Sequence, residues 1–87
     1  MVRSAREQYV TDMVTEWLVN DGPVRAEAVR IVARSGKTAA HDLGVWLWRH
    51  LREARRGTAA WHLAQELAEN DYLRVSWGEV ARSVQEG

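Results

Sequence analysis

The residues best equipped for chemistry in this chain are His41, His50 and His62 and the serines Ser4, Ser35, Ser76 and Ser83. Their spacing argues against most of what they could do. A helical zinc site needs two histidines one turn apart on one face. His41 and His50 are nine residues apart on one predicted helix, and ~100° per residue turns them to opposite sides. His62 and Glu66 stand at i,i+4 with Glu69 a turn further, a weak cation seat that reads more simply as solvated surface. The serines fall at helix ends or polar positions, where capping accounts for them, and none has an oriented base at a fixed spacing. Gly36-Lys37-Thr38 has the ending of a phosphate-binding loop, but Val32 and Ala33 stand near the place of its upstream glycine and no strand precedes it. Cysteine is absent, which excludes disulfides and thiolate metal sites. Neither an enzyme nor a metal or cofactor is expected.

The elements that must position any functional surface are helical. Gly22-Pro23, Gly36, Gly57 and the stretch Asn70–Val75 punctuate the chain into about five segments. The first runs from about Ser4 to Val19, with Tyr9, Val10, Met13, Val14 and Trp17 on its apolar arc. The second runs from Pro23, suited to a first helical turn, to Arg34, with Val24, Ala28, Ile31 and Val32 inward and Gly36 as its left-handed C-terminal residue. The third is predicted over 39–56, with Thr38 as N-cap and Leu43, Trp46, Leu47, Leu51 and Ala54 as its core stripe. Thr58 caps the fourth, 59–69, which buries Ala60, Leu63, Ala64 and Leu67 and holds Trp61 at its margin. In the fifth, Ser76-Trp77-Gly78-Glu79 has the pattern of a capping box, and Val75 and Val80 stand at the staple positions. Trp77, Val80, Ala81 and Val84 then dock that helix. The expected fold is all-α: one domain over residues 1–87, a compact bundle of four to five short helices.

Five tryptophans and no phenylalanine supply the large side chains of a core that a chain of 87 residues can only make thin. Twelve basic and twelve acidic residues leave no formal net charge, which disfavours a dedicated nucleic-acid binder. No run approaches the ~20 apolar residues of a membrane span. The start, with Arg3, Arg6 and Glu7, is unlike a signal peptide. A cytoplasmic location and no membrane partner are expected.

The outer face of the third helix is the most informative surface. With the core stripe centred on Leu47, Val45, Trp48, Arg49, Arg52, Arg55 and Arg56 lie off it, Trp48 by ~100°. Trp and Arg are enriched where proteins bind proteins, and the same pair can stack on a base and hold phosphates. A plainer reading stands beside both. Arg55 and Arg56 at a helix C-terminus offset its dipole, and enclosure of Trp48 by Tyr72 or Leu73 would make it a packing residue.

Two segments carry a resemblance. Glu16-Trp17-Leu18-Val19-Asn20-Asp21-Gly22 and Val75-Ser76-Trp77-Gly78-Glu79-Val80-Ala81 resemble the early Trp-Leu-x-Asn-Asp and late Val-x-Trp-x-Glu-Ile-Ala segments of a group of short phage- and plasmid-associated proteins. Ser76 and Val80 stand where that group has Asp and Ile. It carries no assigned activity, so it implies no functional residues. It implies a mobile-element accessory protein, and such small proteins often block a host defence or regulatory complex. Val75–Arg82 also resembles the first helix of some helix-turn-helix regulators, although no recognition helix follows it. The expectation is therefore a protein-binding module, self-association included, with a small nucleic-acid-binding or regulatory protein as the alternative.

Overall fold

In the computed structural model, which describes residues 4–86, local capping chemistry sets where most of the helices begin. Ser4 Oγ accepts from the Glu7 N–H at 3.1 Å, and Glu7 Oε1 accepts from the Ser4 N–H at 3.2 Å, a reciprocal capping box that opens α1 (Ala5–Asn20). Asp21 then serves two helices. Its N–H donates to the Leu18 carbonyl at 3.4 Å, and its carboxylate accepts from the Val24 N–H at 3.1 Å to cap α2 (Gly22–Ser35), which has Pro23 in its first turn. Gly36, at φ 57° and ψ −118°, turns the chain through a conformation closed to most residues and into a 3-10 turn, Gly36–Thr38. That turn feeds α3 (Ala39–Arg52). Thr58 Oγ1 accepts from the Trp61 N–H at 3.2 Å and caps α4 (Ala59–Glu66). A second 3-10 segment, Glu69–Leu73, leads to α5 (Trp77–Glu86). No strand occurs among the described residues, and the elements form an all-α bundle with extents of 35 × 30 × 19 Å.

The core lies between α1, α2, α3 and α5. Val10, Val14 and Leu18 from α1 meet Val24, Ala28, Ile31 and Val32 from α2, Leu43 and Leu47 from α3, and Val80, Ala81 and Val84 from α5. A smaller cluster of Leu51, Ala60 and Leu63 seats α4 on the end of α3. The inward faces predicted for the second and fifth helices agree with this packing, Trp77 being half-buried, and Val75 and Val80 are both buried.

Several expectations need correction. In α1 the buried face is Val10, Thr11, Val14 and Leu18, while Tyr9 is 50% exposed and Met13 and Trp17 are half-buried. The apolar arc centred on Val10 and Trp17 was rotated because it left out Thr11, whose hydroxyl is spent inside by accepting the Ser76 N–H at 3.0 Å. Thr38 does not cap α3; its hydroxyl lies 2.8 Å from Asp42 Oδ2 and 3.1 Å from the Ser35 carbonyl, so it acts as a donor. The third helix ends at Arg52 rather than Arg56. There the chain closes a turn in which the Thr58 N–H donates to the Arg55 carbonyl at 3.2 Å and Gly57 takes φ 90°. The fourth helix ends at Glu66, where Leu67 turns to extended backbone (ψ 132°). In α3, Trp46 is half-buried, while Ala39 and Gly44 join the buried face; Ala54, also half-buried, lies beyond the end of the helix.

Candidate functional site

The surface around Trp48 is assembled from behind. Gly44 lies on the α3 face turned toward α5, and a Cβ placed on it would come 3.0 Å from the Trp77 ring. Glycine therefore lets the Trp77 indole lie directly on the α3 backbone. There Trp77 Nε1 donates to the Tyr72 carbonyl at 3.0 Å. The Trp48 ring meets Tyr72 edge to face, with centroids 5.4 Å apart at 73°, and meets Trp77 at 6.5 Å and 87°. Tyr72 and Trp77 complete the cluster at 5.6 Å. These are the geometries aromatic quadrupoles favour, and each such pair contributes about 0.5–1.5 kcal/mol beyond the area it buries.

Tyr72 is held by its neighbour. The Asp71 side chain is fully buried and accepts from Arg6 Nη2, from Arg6 Nε at 3.3 Å, from Arg74 Nη1 at 2.9 Å and from the Ala68 N–H at 2.8 Å. A buried carboxylate persists only when its oxygens are satisfied in this way. The Arg6 hydrogen bond dominates in holding the Asp71 carboxyl well below the usual carboxylate range, and burial opposes it. The same contact raises the Arg6 guanidinium. Arg6 Nη2 also donates to the Glu66 carbonyl at 3.3 Å, so one side chain of α1 ties down both the end of α4 and the 3-10 segment. Elsewhere, the Thr38 hydroxyl is the chief cause of a lowered Asp42 carboxyl.

The predicted site residues divide. Val45, Trp48, Arg49 and Arg52 come together: with Glu69 and Tyr72 they line a shallow depression of about 450 Å³ between α3 and the 3-10 segment. Trp48 and Arg52 also border a second depression of about 300 Å³, floored by Leu51, Ala54, Ala64 and Leu67. Arg52 Nη1 stands 3.6 Å from Glu69 Oε1, with the two side chains 57% and 87% exposed, and this pair lies between the depressions. Arg55 and Arg56 leave the helix because α3 stops at Arg52. Arg56 sits over the ring of Trp61, which lines the second depression, at 5.9 Å, and Arg55 lines a different depression together with Asp21, His50 and Glu53. The basic residues of the last α3 turn are Arg49, His50 and Arg52.

Trp48 itself is half-buried. Tyr72 touches it without enclosing it, and Leu73, the other residue expected to cover it, is 83% exposed. The ring is thus both packing and surface. The aromatic cluster behind it and the Asp71 hub went unseen in the sequence. Asp71 and Arg74 at i,i+3 were a readable signal; Arg6, 65 positions from Asp71, was not.

His50 lies between Trp17 and Trp46, with ring centroids 5.9 and 5.6 Å away, and His62 packs edge-on to Trp61 at 5.0 Å. Among the described residues no group of three or more His, Cys, Asp or Glu is placed to hold a metal ion, and no helix is long and apolar enough to cross a membrane. The chain matches no protein-family model, no curated protein and no solved structure.

Proposed function

We propose that this chain is a small non-enzymatic protein-binding module that engages its partner through the surface centred on Trp48 and Arg52. The observation that supports this reading is Trp48 itself. The ring is fixed from behind by Tyr72 and Trp77, stays partly at the surface, and separates two apolar-floored depressions edged by arginine. A rigid aromatic that loses little conformational freedom on binding, beside Arg, is the usual make-up of an energetic centre in an interface. The resemblance to phage- and plasmid-associated proteins supports a mobile-element accessory role, with inhibition of a host defence or regulatory complex as its form.

Nucleic acid is the second reading, favoured by Arg49, Arg52 and Arg56 beside aromatic rings. Against it stand the 87%-exposed Glu69 carboxylate at 3.6 Å from Arg52 and a net charge of zero. The test is co-purification from cells with the wild-type chain and with Arg52→Glu, followed by titration of the captured partner across salt concentrations. A protein retained by the wild type, lost with Arg52→Glu and only mildly salt-sensitive supports the first reading. Binding of nucleic acid that falls steeply with salt would replace it with the second.

A further inference from the structure

The two depressions on either side of Arg52 are one groove with a removable bar. They share Trp48, Arg52 and Glu69, and the Arg52–Glu69 pair on their common border is 3.6 Å long and exposed at both ends. A pair of that kind contributes little to stability and its side chains are free to part. With Glu69 swung out, an apolar floor runs from Val45 and Trp48 to Leu51, Ala54 and Leu67. The lining is unbalanced in charge: it holds Arg49 and Arg52 against the carboxylate of Glu69, and Arg56 sits over Trp61, which lines one of the depressions.

Resting on the reading that this surface binds protein, we infer that its occupant is an amphipathic α-helix with carboxylates flanking its apolar stripe, one of which takes the place of Glu69 on Arg52. Charge complementarity gives the acidic flank. The secondary structure gives the helix: no strand occurs among the described residues, so there is no sheet edge to pair with an extended peptide, and a groove between helical elements accepts side chains projecting at i, i+4 and i+7. A carboxylate bound bidentately at hydrogen-bond distance on Arg52 would outcompete Glu69 at 3.6 Å. Phosphodiester is the poorer fit, because the half-buried Trp48 already spends part of its ring on Tyr72 and Trp77.

The test is selection from a displayed library of four-turn helical peptides randomised at surface positions, followed by anisotropy titration of the enriched sequences and of an oligothymidylate of twelve residues. The chains titrated are the wild type, Arg52→Glu, Glu69→Gln and, as a remote control on α5, Arg82→Glu. Circular dichroism confirms that each is folded. The expected result is enrichment of Glu and Asp beside an apolar i, i+4, i+7 stripe. Arg52→Glu then weakens binding by about tenfold or more. Glu69→Gln, which frees Arg52, tightens it, and Arg82→Glu leaves it unchanged. Peptides that need Arg52 but show neutral or basic flanks overturn the acidic-helix assignment and leave the surface itself standing. Peptides indifferent to Arg52→Glu, failure to enrich any peptide, or oligothymidylate binding that Arg52→Glu abolishes each overturn both the assignment and the protein-binding surface.

Discussion

One 3-10 segment, Glu69–Leu73, makes ion pairs of opposite character. Asp71 points inward, has no exposed surface, and is gripped by two arginines and a backbone amide. Glu69, two residues earlier, points outward and meets Arg52 at 3.6 Å in open solvent. Formally both are carboxylate–guanidinium contacts. The difference lies in what the unpaired state costs. A buried Asp71 without its arginines is an uncompensated charge in low dielectric. A Glu69 without Arg52 is simply hydrated. The inward pair therefore fixes the segment, and the outward one is available for exchange.

The comparison can be broken at four places. The largest effect is expected from Asp71→Ala, which strands Arg6 and Arg74 and leaves the Ala68 amide without its acceptor. Because both arginines are themselves about 40% exposed (42% and 39%), the loss is set at about 2–4 kcal/mol, read by urea denaturation. The pH dependence follows from the same carboxylate. Its folded value lies below the ordinary carboxylate range, so its stabilisation is fully present above that range and is lost as the pH falls through the folded value. Acid unfolding that is unchanged in Asp71→Asn would show that the hub is not a source of stability.

Next comes Trp48→Ala. A half-buried ring with two aromatic neighbours stands to lose about 2 kcal/mol, between a free surface residue and a core one, together with partner binding. A loss of about 4 kcal/mol would make Trp48 a core residue and remove it from the interface. Gly44→Ala is expected to destabilise by about 1 kcal/mol net. Contact at 3.0 Å with a ring held by its own hydrogen bond outweighs the better helix propensity of alanine. A variant more stable than the parent would mean that Trp77 can retreat. Smallest is Glu69→Gln, expected to shift stability by under about 0.5 kcal/mol in thermal melts.

The helices of this chain were legible where local chemistry decides them. Asp21-Gly22-Pro23, Gly36 and Thr58 mark their boundaries through caps and a glycine conformation that a sequence states directly. Val24, Ala28, Ile31 and Val32 show a clean stripe because α2 meets the core along one face. What could not be read depended on the other end of the chain. Thr11 looks polar in α1 and is buried because the Ser76 amide needs it. Arg55 and Arg56 continue the periodicity of the third helix, yet the turn closed by Thr58 takes them off it. On the candidate surface, helical angle alone places Val45, Trp48, Arg49 and Arg52 on one side of α3, whereas Glu69 and Tyr72 reach the same depression only through the fold.

Two of the polar contacts that join α1 to residues far along the chain have a kinetic meaning. Arg6 reaches Asp71 and Thr11 reaches Ser76, each across 65 positions. Closing a loop of that length is an entropic step, growing as about (3/2)RT ln n, that must precede any reward from the contact. Helices α2 and α3, joined by a short turn, can collapse on each other early. Helix α1 instead waits for residues 65 positions further on before its Arg6 and Thr11 side chains find these partners. The domain should therefore fold and unfold as one cooperative unit, with docking of α1 late in the sequence of events.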